Sequence, residues 1–179
     1  MGYGSAWYAG LASGRHAKRP WPQSLLPKST EKRLFSVDAG IATVAQFGAA
    51  TEQDALVGRL RKNVTVRRAP APKRPGKRGR SALHGPVLHP GAKRAEGRAD
   101  DDTTVRVEER EVRVRRWQHL HFREASQTVI EVVRVEDPAY KRPLLLGTTA
   151  RELTTDELRS AYAHRWPIET NFYTLSGHR

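Results

Sequence analysis

Cysteine is absent from the 179 residues, which excludes both disulfides and thiolate metal sites. Aspartate is absent from the first 37 residues, where Glu31 is the first acid of either kind. From Arg59 to Arg94 there is neither Asp nor Glu, although the segment holds twelve Lys or Arg. No apolar run reaches the roughly 18 residues that a membrane-spanning helix requires. The N-terminus puts small and aromatic residues before its first charges, the wrong order for a secretory signal. These absences predict a soluble, cytoplasmic protein.

What is present is charge. With 32 Lys and Arg against 19 Asp and Glu, the net charge is +13, and nearly all of the surplus lies between Arg59 and Arg94. Such an excess implies an acidic partner, most often nucleic acid, without specifying a fold. In APAPKRPGKRGR, proline removes backbone donors and glycine raises the entropy of ordering. A packed core is therefore not expected for residues 69–100. The segment reads as a flexible basic loop able to follow a phosphate backbone through Arg59, Arg61, Lys62, Arg67, Arg68, Lys73, Arg74, Lys77, Arg78 and Arg80. No aromatic interrupts it, so base stacking is not expected. His84 and His89 have no acid or third His near them in sequence, which argues against metal.

The rest divides by pattern. Residues 1–33 are irregular, with glycines alternating with aromatics and then three prolines. Leu34 to Val37 is a short β-compatible run ending at Asp38, and a turn or an N-cap would also account for that Asp. Ile41 to Ala50 spaces Ile41, Val44 and Phe47 as a helix would, and Ala55 to Leu60 is a second short strand. Asp100, Asp101 and Asp102 close the basic segment and read as a solvated turn. Val105 and Val107 alternate in one phase, Val112 and Val114 in the other, predicting two half-buried strands around EERE. Gln127 to Val135 and Arg142 to Thr149 are further β-rich runs, with Leu144 to Leu146 expected to be buried on both faces. His119 and His121 are expected to be exposed on one strand face. The boundaries are 1–33, 34–60, an insertion at 61–149 (basic loop 61–102, small sheet 103–149), and 150–179.

Thr154 and Glu157 form a capping-box pattern that opens a C-terminal helix. Along it, Tyr162, Arg165 and Glu169 step by three and four and so share one face, with Trp166, Ile168 and Phe172 interleaved for packing. Pro167 predicts a kink or a fresh helix start.

The string Y-x-x-R-W-x-I-E, matched by Tyr162, Arg165, Trp166, Ile168 and Glu169, resembles the C-terminal signature of DDE-type insertion-sequence transposases. LFSVDAGIATVAQF followed by LVGRLRKN is similar to the region around that family's second catalytic Asp, which would make Asp38 that residue. Ser176 stands where the signature has Lys. The resemblance implies an α/β, ribonuclease H-like fold with a β-rich insertion between Asp38 and Glu169, about 130 residues apart. It implies Mg2+ or Mn2+ at Asp38 and Glu169, DNA or phosphate contact or orientation of the carboxylate by Tyr162 and Arg165, and insertion-sequence ends as partner. A further copy of the chain or a full-length transposase is the implied protein partner. Two such ions, about 4 Å apart, would activate the attacking oxygen and stabilise the leaving one. The family's first Asp has no counterpart before Asp38. The expectation is a partial ribonuclease H-like fold lacking its N-terminal strands, in a transposase remnant altered after Glu169 that does not cleave or join DNA alone. A non-catalytic basic nucleic-acid-binding protein is the alternative.

Overall fold

The computed structural model describes residues 32–40, 42–73, 75–76, 78–92, 98–107 and 109–163. It is a mixed α/β protein, rich in strand, with two short helices among the described residues. The chain divides into two compact units, one formed by residues up to Arg59 together with those from Thr148 onward, the other by Leu60–Gly147.

In the first unit, β1 (Arg33–Val37) is buried at all five positions and pairs in parallel with β2 (Asp54–Arg59), from Arg33↔Asp54 to Val37↔Gly58. Parallel strands need a crossover, and residues 38–53 supply it. Its helix α1 (Val44–Gly48) is shorter than the predicted 41–50, because Thr43 is the N-cap and accepts from the Gln46 N–H. Phe47 is fully buried beneath it, and Ile41 lies outside the described residues. Gly58 has no room for a side chain: a Cβ there would sit 2.7 Å from Val37 Cγ2 and 2.8 Å from the Ala42 Cβ.

Behind the strands lies α2 (Thr155–Ala163), with Leu158, Ala161 and Tyr162 buried. Its capping box forms as the spacing predicts. Thr154 N–H and Oγ1 donate to Glu157 Oε2 at 2.7 and 2.8 Å, and the Glu157 N–H returns to Thr154 Oγ1 at 3.3 Å. These contacts, the backbone one first, hold the Glu157 carboxyl below its usual pKa. Thr154→Ala is expected to lower the melting temperature by roughly 4 °C, read by circular dichroism. An unchanged melt would mean that packing alone starts the helix.

The second unit is built on long antiparallel strands. It contains β3 (Val66–Arg68), β4 (Val87–Leu88), β5 (Asp101–Val107), β6 (Arg110–Phe122), β7 (Ala125–Glu136) and all but the last residue of β8 (Leu144–Thr148), in the order β8-β7-β6-β3-β4, with β5 also on β6. Its core is apolar: Val66, Val112, Trp117, Leu120, Ile130, Val132, Val133 and Leu146 are fully buried. Ile130 to Val135 are buried on both faces of β7, and so are Leu145 and Leu146 on β8.

Three expectations need correction here. The basic stretch 61–102 is not wholly loop, since β3 and β4 pair through Val66↔Leu88 and Arg67↔Val87 and bury both apolar residues of the first pair. The three aspartates are not a turn. Asp101 and Asp102 begin β5, and Asp102 takes a bidentate pair from Arg113 at 2.8 and 2.6 Å. Lastly, β5 is exposed along almost its whole length rather than half-buried. The two strands flanking EERE do form and pair antiparallel from Val107↔Arg110, with Glu109 at φ 66°.

Candidate functional site

Asp38 follows the last residue of β1, where the buried strand ends and a turn begins with the Ala42 N–H bonded to the Asp38 carbonyl at 2.8 Å. Its carboxylate reaches the helix behind the strands: the Tyr162 hydroxyl donates to Asp38 Oδ1 at 3.1 Å across 124 residues of sequence. Tyr162 is 6% exposed, so the phenol is held by packing and only its oxygen reaches the strand end. Two residues singled out separately in the sequence therefore meet within one unit. Arg165 and Glu169, the other members of the stripe, lie outside the described residues.

The strand carrying Asp38 is fixed at its other end by a second acid. Arg33 Nε donates to Asp54 Oδ1 at 2.6 Å, and its terminal nitrogen lies 2.5 Å from the same oxygen. Both side chains are under one-tenth exposed, and the guanidinium carbon sits 5.9 Å from the Phe35 ring centre. Asp54 is thus committed to Arg33. Patterning gave no notice of this pair, because a charged residue at each end of two apolar runs reads as a boundary.

Could these residues hold divalent metal? Among the described residues no three His, Asp or Glu side chains converge closely enough to hold an ion. Asp38 with a phenol at its oxygen is one carboxylate, not a two-ion site, so the described residues by themselves do not fit the metal centre that the resemblance implies.

The basic surface is better defined. Arg59, Arg61, Lys62, Lys73, Arg78 and Arg80 are exposed, whereas Arg74 and Lys77 lie outside the described residues. Lys73 Nζ donates to the Gly79 carbonyl at 2.5 Å, folding the loop on itself. Arg68 is occupied: its guanidinium bonds Asp100 at 3.0–3.1 Å and the Arg98 carbonyl at 3.1 Å. Burial raises the Asp100 pKa, but the Gln118 N–H and Arg68 outweigh it and the net shift is downward. The arginines of β6 are likewise engaged, Arg115 with Glu136 at 2.7 Å and Arg116 with Glu131 in a nearly buried pair. Among the described residues exposed positive charge is thus concentrated before β5, whereas Arg113, Arg115 and Arg116 of β6 are each paired with an acid.

His121 departs from expectation. It is 6% exposed, and its Nε2 lies 3.0 Å from Nδ1 of His84, with the rings stacked at 5.2 Å. The cause is a bulge. Trp117 pairs with Val132 but Leu120 with Ile130, so β6 spends one extra residue there, and His119 adopts φ 53°. The extra residue sends His119 to solvent and reverses the facing of His121. Sequence alternation could not register that reversal.

Burial first, then the nearby His84 and Arg67, pushes the His121 pKa below its ordinary 6.5. Between 6.5 and that lowered value the unfolded chain binds more protons than the folded one, so stability falls as pH drops through this window. Above it the term vanishes. Melting temperatures at pH 8 and pH 5 are expected to differ more for the wild type than for His121→Gln, and equal differences would remove this account.

No protein-family model, no curated protein and no solved structure matches this chain.

Proposed function

We propose that this chain is a relative of DDE-type transposases that binds DNA, and that by itself it does not carry out the family's cleavage and strand transfer. One observation supports the reading above the others: the 3.1 Å hydrogen bond from Tyr162 to Asp38. The resemblance picks out those two positions independently, one as a strand-end carboxylate and one on the signature helix. Nothing in ordinary helix or strand patterning requires residues 124 positions apart to meet. A parallel strand pair with the acid at the carboxyl end of β1, backed by a helix, is compatible with part of a ribonuclease H-like fold. The six strands β3–β8, lying between Asp38 and α2 in sequence, are compatible with the implied insertion.

Within this reading Tyr162 is a positioning residue. A phenol donating to a carboxylate restricts its rotation. The missing member is an Asp before Asp38, and no step of the reaction is assigned to the chain without it. The resemblance leaves Arg165, whose planar guanidinium suits bidentate phosphate contact, and Glu169 as the residues to vary next.

Incubation with Mg2+ and duplexes bearing the terminal repeats that flank its gene tests the proposal. Expected are binding that prefers these ends over scrambled duplex, and no cleavage. Robust cleavage would overturn the inactive reading, and equal affinity for every duplex would overturn the transposase one. The second reading, a basic protein that binds nucleic acid without sequence preference, is favoured by the twelve Lys and Arg between Arg59 and Arg94.

A further inference from the structure

We infer that β5 is an association edge, and that its partner is a second copy of this chain joined antiparallel about Thr104. Among the described residues β5 pairs with β6 alone, and Asp101 to Arg106 are all exposed. The hairpin closes on the facing pair Val107 and Arg110, so Val107, Val105, Thr103 and Asp101 bond toward β6. Alternation then turns the N–H and C=O of Asp102, Thr104 and Arg106 outward, a row of unpaired backbone groups ready to extend a sheet.

Edge strands are ordinarily protected by charges that repel a second edge. Here the outward positions carry one negative and one positive residue, symmetrically about Thr104. An antiparallel partner centred on Thr104 faces Thr104 with its own Thr104, and sets Asp102 opposite Arg106 twice. Opposite charges directly across a strand pair attract, whereas like charges repel. Arg106 has no ion-pair partner among the described residues, and the Asp102 carboxylate, although gripped by Arg113, keeps lone pairs for a second guanidinium. On the opposite face the same register covers Val105, which is 39% exposed, with Thr103 of the second copy. The edge therefore complements itself in charge, in backbone bonding and in apolar cover. The arrangement is isologous and closed, so association stops at two copies.

Sedimentation velocity on nuclease-treated full chain tests this without bridging by nucleic acid. A dimer with a dissociation constant of roughly micromolar size is expected for so small an interface. Thr104→Pro removes the central outward donor and leaves the bonds to β6 in place, so it is expected to give monomer with an unchanged circular dichroism spectrum. Arg106→Glu sets like charges together twice at an exposed site and is expected to weaken association roughly tenfold or more. A wild type that stays monomeric through the micromolar range overturns the inference, as does a dimer that persists in Thr104→Pro. If Thr104→Pro does not fold, Arg106→Glu decides: an undiminished dimer overturns the proposal.

Discussion

Raising salt from about 50 to about 200 mM is expected to cut the affinity of this chain for duplex DNA by a thousandfold to a hundred-thousandfold if six to ten phosphates are engaged. The estimate follows from counterion release: each neutralised phosphate adds about 0.9 to the slope of log affinity against log salt. Arg61, Lys62, Arg78 and Arg80 are exposed, and replacing all four by Ala is expected to reduce the slope by roughly 3 to 4. Arg68→Ala is expected to leave it nearly unchanged, because Asp100 and the Arg98 carbonyl already occupy that guanidinium. Fluorescence anisotropy over a salt series measures both, and a flat dependence in the wild type would dispose of phosphate binding by the arm.

The second large effect is on stability. Asp54→Ala leaves the Arg33 guanidinium, 8% exposed, without its acid, and is expected to cost about 3–5 kcal/mol in a urea titration. Removing both partners is a different experiment. Arg33→Met with Asp54→Leu replaces two desolvated charges by apolar groups and is expected to be neutral or stabilising by about 1–4 kcal/mol. The contrast isolates the penalty of an unpaired buried charge from the net worth of the pair. A single-variant cost below about 1 kcal/mol would mean that water reaches the site in the folded protein.

How much of this was legible beforehand differs from element to element. Leu34–Val37, Ala55–Leu60 and Gln127–Val135 could be read as short apolar, β-rich runs, and the strands flanking EERE from the alternation of their valines. The Thr154–Glu157 cap was equally plain, because all its bonds lie within four residues. The β5 edge was misread: Val105 and Val107 alternate like a half-buried strand, yet Val105 is 39% exposed, and alternation reports a face without reporting what covers it. The role of the aspartates at 100–102 was hidden for a related reason. Their partners Arg68, Arg113 and the Gln118 N–H lie on strands that the local sequence does not name.

The sequence by itself determined the charge budget, the absence of thiol chemistry, the strand-forming runs and the helix start, because composition and short-range pattern suffice for each. It also marked Asp38 and Tyr162 as worth watching. Only tertiary structure decided that the two touch, that Asp54 serves Arg33, that one extra residue in β6 buries His121 against His84, and that Asp102 of β5 meets Arg113 of β6. The physical reason is common to all four. Hydrogen bonds and ion pairs act over about 3 Å, and the residues they join here are separated by up to 124 positions, so which groups meet is set by strand order and register rather than by any local preference.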